Sequence, residues 1–120
     1  MESLAIEKLT GDFFNEMVGL EGIQMQDLGL TELPEALFFK RPSLRGVDFD
    51  SNKLTTLPLG LFSQQKQIKQ IIFSSNRFKS IDPRVFADPQ FKSAYAFFGG
   101  NPLSEAARIL LKDQFGEIEF

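Results

Sequence analysis

The 120-residue sequence predicts an α/β solenoid, in which successive units of the chain stack and each adds one strand to a parallel sheet. Three observations predict this fold. An apolar pattern recurs about every 24 residues, a phenylalanine recurs once in each unit, and a helix-forming segment follows the last unit. The 14 phenylalanines, against one tyrosine and no tryptophan, indicate that one aromatic position is filled repeatedly.

The apolar repeat is clearest in residues 44–67. This unit carries its apolar side chains, an asparagine and a proline at Leu44, Val47, Phe49, Asn52, Leu54, Leu57, Pro58, Leu61 and Phe62. The preceding unit, residues 20–43, fills these positions with Leu20, Ile23, Met25, Leu30, Leu33, Pro34, Leu37 and Phe38. The following unit, residues 68–90, fills them with Ile68, Ile71, Phe73, Asn76, Phe78, Ile81, Val85 and Phe86. One such unit could arise by chance, whereas three in register indicate a true repeat.

Partial units flank these three. Residues 1–19 match the second half of a unit and predict a partial repeat or an N-terminal cap. The matching residues are Ile6, Leu9, Phe13 and Phe14. Residues 91–103 form the last repeat.

The last repeat fits in two registers. Alignment on Asn101 points Ala96 and Phe98 toward the core, with one inserted residue upstream. Alignment on Phe91 points Ala94 and Ala96 toward the core instead. We favour the first register, because it buries Phe98 and keeps an asparagine at the turn.

Each unit is predicted to begin with a strand. Successive side chains of a strand point to opposite sides, so Val47 and Phe49 face the core while Asp48 and Asp50 face outward. Asn52 then lies at the turn, where its amide can bond to backbone groups that would otherwise be buried without partners. The first unit has Leu28 at that position, so its turn needs another partner.

The segment after the turn is predicted to return along an irregular convex side, because Pro34 and Pro58 disfavour helix there. One phenylalanine of each unit is expected to stack on the next and to form an internal spine. The spine residues are Phe14, Phe38, Phe62 and Phe86.

Residues 104–116 are predicted to form a C-terminal capping helix, with Ser104 as N-cap, Lys112 near the end and Gly116 as the stop. Four residues are expected to share the face that covers the last repeat: Leu103, Ala107, Leu110 and Leu111. A partner-binding helix is the alternative. The segment after the helix, residues 116–120, is either a short strand or a loose tail.

The repeated pattern L-x-x-L-x-L-x-x-N-x-L resembles the leucine-rich-repeat family over nearly the whole chain. Its phenylalanine-containing form is similar to the typical class of receptor ectodomains and many bacterial proteins. Those ectodomains carry cysteine-bonded caps, and this chain has no cysteine, so the resemblance implies a bacterial or intracellular member. Residues 100–105 also resemble the last repeat of bacterial effector ubiquitin ligases. The family implies a concave sheet that binds other proteins, without specifying which.

Composition narrows the function classes. The chain has neither cysteine nor histidine, which removes the usual zinc ligands, thiol chemistry and the commonest general base, so neither an enzyme nor a cofactor or metal site is expected. A net charge of −3 argues against nucleic acid. No membrane span and no signal peptide are expected, which makes a cytoplasmic protein the default, although export without a cleaved signal or origin as a fragment is also compatible.

The outward strand positions predict the partner-binding surface. The candidate residues are Gln24, Asp48, Asp50, Gln70, Ile72, Tyr95 and Phe97. They divide into an acidic half and an apolar half, and exposed apolar residues flanked by charges are typical of interfaces. A further outward row is predicted at Glu21, Arg45, Lys69 and Ala94. In the alternative interpretation, the cap or the C-terminal tail covers Ile72 and Phe97. Asp48 and Asp50 are interpreted as a solvated acidic surface, because no cleft accompanies them.

The sequence therefore predicts a non-catalytic protein–protein interaction module that binds a protein partner through the concave sheet. One alternative is a structural element that self-associates weakly through an open N-terminal end around Ile6, Leu9 and Phe13. Another is the recognition part of a larger effector protein.

Overall fold

The computed structural model describes residues 21–120. Within them, five strands form one parallel sheet, and strands that are neighbours in the chain are neighbours in the sheet. The strands are β1 (Gly22–Gln24), β2 (Gly46–Asp48), β3 (Gln70–Ile72), β4 (Tyr95–Phe97) and β5 (Glu117–Glu119). A 3₁₀ helix over Pro89–Ser93 precedes β4, and the α-helix α1 (Glu105–Gln114) connects β4 to β5. These elements form an α/β fold. The predictions for residues 1–19, including Phe14, lie outside the described residues.

The strand register follows the sequence repeat. Ile23 pairs with Val47, and Val47 pairs with Ile71, so equivalent residues of consecutive units lie side by side. Ala96 pairs with Ile71 and is fully buried, and the exposed fraction of Phe98 is only 1%. The register based on the asparagine at position 101 is therefore confirmed.

Ala94 was predicted to face outward, and this prediction is wrong. Its exposed fraction is only 2%. The 3₁₀ helix ends beside it, with the Ala94 N–H bonded to the Phe91 carbonyl at 3.0 Å. The start of β5 also packs against it, since the Glu117 N–H donates to the Ala94 carbonyl at 3.2 Å. Ala94 is thus enclosed by two elements that have no counterpart in the earlier units.

Two rows of phenylalanine rings run through the core. In the predicted spine, the ring centroids of Phe38 and Phe62 lie 5.5 Å apart, and those of Phe62 and Phe86 lie 5.8 Å apart. A second row, which the sequence analysis did not identify as such, joins three rings that follow β2, β3 and β4. These rings are Phe49, Phe73 and Phe98, with centroid distances of 5.5 and 5.8 Å. Ring contacts in both rows therefore hold neighbouring units together.

A third row consists of Asn52, Asn76 and Asn101. Their side-chain amides form hydrogen bonds with buried backbone groups. The Oδ1 atom of Asn52 accepts from the N–H groups of Leu28 and Leu30, both at 3.0 Å. Its Nδ2 atom donates to the carbonyls of Met25 and Phe49, both at 2.9 Å. The turn at Leu28, which lacks its own asparagine, is thus satisfied by the asparagine of the next unit.

The same arrangement recurs one unit later. Asn76 accepts from the Leu54 N–H and donates to the carbonyls of Phe49 and Phe73, each at 3.0 Å. The residue before each of these asparagines has a positive φ, and at position 100 it is a glycine with φ +75°. Asp27 before Leu28 also has a positive φ, so the left-handed residue is common to all four turns, while the amide follows it in the last three.

The segments that return from these turns are held by glutamines. Gln65 is fully buried, and its Nε2 atom donates to the carbonyls of Phe38 at 2.6 Å and Arg41 at 3.1 Å. Gln90 donates in turn to the Gln65 carbonyl at 2.6 Å and accepts from the Ile68 N–H at 2.8 Å. These side chains link turn-rich segments in which, between β1 and β3, no regular helix forms.

Helix α1 begins as predicted, since the Ser104 hydroxyl accepts from the Ala107 N–H at 3.1 Å, and its residue Leu111 is buried in the core. The prediction that Leu110 covers the last repeat is wrong, because it is 49% exposed. Each helical residue turns about 100°, so Leu110 lies well away from Leu111, whereas residues four apart share a face. Phe115 takes the predicted covering role and places its ring 4.9 Å from that of Phe86.

Replacing the fully buried Phe73 by alanine is predicted to lower the free energy of unfolding by about 3–5 kcal/mol, because it opens a cavity between two stacked rings. Urea denaturation followed by circular dichroism measures the change. Ile109→Ala, at a position that is 61% exposed, is the control and should cost less than about 1 kcal/mol. Equal losses for the two variants would contradict the proposed importance of ring stacking.

Asn76→Ala is predicted to destabilise the protein by about 2–5 kcal/mol, because it leaves one buried N–H and two buried carbonyls without their partner. Asn76→Asp retains the acceptor but loses the donor, and we expect it to be no better than alanine. Both are compared in the same denaturation assay. A loss below 1 kcal/mol for both would mean that water replaces the amide.

Candidate binding surface on the sheet

The side chains that point away from the core form what we call the outer sheet face. Across the five strands they lie in two rows. The first row is Gly22, Gly46, Gln70, Tyr95 and Glu117, and the second is Gln24, Asp48, Ile72, Phe97 and Glu119. Adjacent members of a row are about one strand spacing apart, roughly 4.8 Å. The structure thus places six of the seven predicted partner-binding residues in these rows, and Asp50 follows β2.

An aromatic pair occupies the C-terminal part of the outer sheet face. The rings of Tyr95 and Phe97 are stacked, with centroids 4.7 Å apart and an angle of 22° between their planes. Both side chains are partly exposed, and so is Ile72 on the neighbouring strand. We call these three residues the aromatic patch. The C-terminal segment does not cover it, because that segment pairs alongside β4 as β5.

Two acidic residues that the sequence analysis missed border the aromatic patch. Glu117 pairs with Tyr95, and Glu119 pairs with Phe97. Both are exposed, whereas Ile118 between them packs against the core. The alternation of Glu, Ile and Glu is the strand signal that could have identified them, since one face of a strand carries every second residue.

The Tyr95 hydroxyl donates a short hydrogen bond to the Glu119 carboxylate. This hydrogen bond, together with burial and the negative charges of Glu119 and Glu117, raises the pKa of Tyr95 above its ordinary value. The bond fixes the outer end of the tyrosine ring and leaves one Glu119 oxygen for another partner.

Asp48 and Asp50, the predicted acidic half, use their carboxylates locally. The Oδ1 atom of Asp48 accepts from the Asp50 N–H at 3.0 Å, and its Oδ2 atom accepts from Gln26 Nε2 at 3.4 Å. The Asp50 carboxylate accepts from the Ser51 hydroxyl at 3.1 Å. Residues 21–120 contain no group of three or more His, Cys, Asp or Glu side chains arranged to hold a metal ion. The arrangement orders the strand end and keeps negative charge at the surface.

A shallow hollow of about 140 Å³ lies beside the aromatic patch. Glycines make this space, since a Cβ atom at Gly22 would meet nothing within 4 Å and one at Gly46 would touch only the Gln70 carbonyl, at 3.6 Å. Ile72 forms part of its wall. A partner side chain can therefore approach the backbone next to the patch.

Basic residues lie at the other edge of this surface. Arg45 and Lys69 are exposed and immediately precede β2 and β3. Lys69 and Glu117 border the same small hollow next to Tyr95, of about 240 Å³. Cations therefore precede the two central strands β2 and β3, whereas the exposed carboxylate of Glu21 precedes β1.

No protein-family model matches this chain, and no curated protein matches it either. Across residues 21–120, no helix combines the length and the apolar composition that crossing a membrane requires. The function is therefore inferred from the repeat pattern and from the geometry of the outer sheet face.

The pKa of Tyr95 is predicted to lie above its ordinary value of 10.0 and to fall back toward it in Glu119→Gln. Since the chain has one tyrosine and no tryptophan, alkaline titration of tyrosinate absorbance reports this residue alone. Glu117→Gln should move the pKa less, because Glu117 acts only through its charge.

The raised pKa of Tyr95 also makes the stability of the fold depend on pH. The folded pKa is raised, so the hydrogen bond stabilises the fold fully below the unfolded pKa of about 10, and this contribution is lost as the pH rises through the folded pKa. A titration midpoint at or below 10 in the unmodified protein would contradict the hydrogen bond.

Proposed function

We propose that the chain is a leucine-rich-repeat solenoid that binds a partner protein through its outer sheet face and has no catalytic activity of its own. The repeat pattern of the sequence, the parallel strands in matching register and the row of turn asparagines support the first part of this proposal. Stacking of such units produces an extended surface of strands, which repeat proteins use for binding.

The observation that carries the binding function is the partly exposed aromatic patch on an otherwise polar sheet. Aromatic side chains supply much of the energy of protein interfaces, and Tyr is enriched there. The core has places for many aromatic rings, yet Tyr95 and Phe97 lie outside it. Apolar surface placed beside carboxylates on an ordered sheet is a feature that a binding partner would use.

Phe97→Glu and Ile72→Glu are predicted to weaken partner binding by about 2 kcal/mol or more each, roughly 30-fold in Kd. Partners are captured with the unmodified protein from its source cells, identified by mass spectrometry and purified, and each Kd is then measured by calorimetry. Because both side chains are partly exposed, the free energy of unfolding should change by less than about 1 kcal/mol.

Leu59→Glu is the matched control, because Leu59 is 45% exposed in the segment between β2 and β3 and does not belong to the outer sheet face. It should bind the partner normally. The proposal fails if Phe97→Glu binds as well as the control, or if it unfolds as readily as Phe73→Ala, which would make Phe97 a core residue.

A further inference from the structure

Negative charges outnumber positive charges around the aromatic patch. In the row that contains Phe97, Glu119 lies one strand away on one side and Asp48 two strands away on the other. Glu117 lies beside Tyr95 in the neighbouring row. The cation Lys69 borders one hollow together with Tyr95 and Glu117, but it forms no ion pair with Glu117. The space above the two rings is therefore predominantly negative.

Two carboxylates beside the rings keep hydrogen-bonding capacity. Glu119 accepts one hydrogen bond, from the Tyr95 hydroxyl, to its Oε2 atom. Glu117 is exposed and makes no side-chain hydrogen bond or ion pair with any residue between 21 and 120. By contrast, both oxygens of Asp48 are already in use. The available acceptors are thus on β5, next to the aromatic rings.

A purely apolar partner would be a poor match for this surface. It would remove water from Glu117 and Glu119 without replacing the lost hydrogen bonds, which is costly for charged groups. An acidic segment would add repulsion. A guanidinium suits both the rings and the carboxylates. It is planar and stacks on aromatic faces, and it stays charged and donates paired hydrogen bonds in a geometry that matches a carboxylate.

We propose that the outer sheet face recognises an arginine side chain presented by the partner protein, with its guanidinium packed against an outer ring face of the stacked Tyr95–Phe97 pair and hydrogen-bonded to the carboxylates of Glu117 and Glu119. This inference rests on the proposed binding function and specifies the chemistry of the partner. Lysine fits less well, because an ammonium group is more strongly hydrated and offers no planar face.

The test begins with a phage-displayed library of random peptides selected against the full chain. Selected peptides are kept if Phe97→Ala, which removes the ring without adding a carboxylate, abolishes their binding and Leu59→Ala does not. We expect these peptides to share an arginine next to an apolar residue. The best of them is synthesised with arginine, lysine or citrulline at that position, because citrulline has nearly the same shape without the charge.

Affinity is then read from the fluorescence of Tyr95, the protein's only tyrosine. The citrulline peptide should bind at least tenfold more weakly than the arginine peptide. Glu119→Gln and Glu117→Gln should each weaken the arginine peptide several-fold and leave the citrulline peptide nearly unchanged, which is the coupling expected of a direct contact. Lys69→Gln, which removes a repelling cation, should tighten the arginine peptide.

Failure of the arginine inference and failure of the binding function give different results. If Phe97-dependent peptides are selected but lack arginine, or if citrulline and the glutamine variants have no effect, the arginine inference is overturned and the binding function stands. If no selected peptide depends on Phe97, both are overturned. The use of two separate glutamate variants guards against a disturbance of Tyr95 that is particular to Glu119→Gln.

Discussion

Ring-on-ring contact between neighbouring units is the interaction on which the rest of the fold depends. Phe73 packs between Phe49 and Phe98, and all three rings directly follow strands of the sheet. With these rings facing the core, the alternation of side chains along each strand determines which residues face outward. The same packing brings consecutive turns close enough for one asparagine to bond to the backbone of two units. The outer sheet face is therefore a consequence of the core.

Features that repeat were predictable from the sequence. The strand positions and the inward residues of β1 to β4 followed from aligning the units, because every unit meets the same requirements for burial and for backbone hydrogen bonds. Asn101 resolved the one ambiguous register, since the buried turn needs an amide that donates and accepts. The positions of Ile72, Tyr95 and Phe97 on the sheet depended on that choice.

Features that do not repeat were predicted less well. Ala94 is buried because a 3₁₀ helix and β5 enclose it, and neither has a counterpart in the earlier units. Leu110 was assigned to the wrong face of α1, since several apolar residues competed for the covering role and Phe115 took it. Glu117 and Glu119 were missed because their strand follows a helix instead of continuing the repeat. The candidate site thus combines a periodic part, which the alignment located, with a terminal part that only the three-dimensional structure revealed.

The asparagine row separates each unit into a segment of invariant length and a segment that tolerates insertions. In each case the asparagine lies three positions after a core phenylalanine: Asn52 after Phe49, Asn76 after Phe73 and Asn101 after Phe98. The extra residue between β3 and β4 is accommodated in the return segment, where the 3₁₀ helix forms, and the strand register is preserved. Loops on the far side of the molecule could therefore lengthen or diversify during evolution without shifting the spacing of the surface on the sheet.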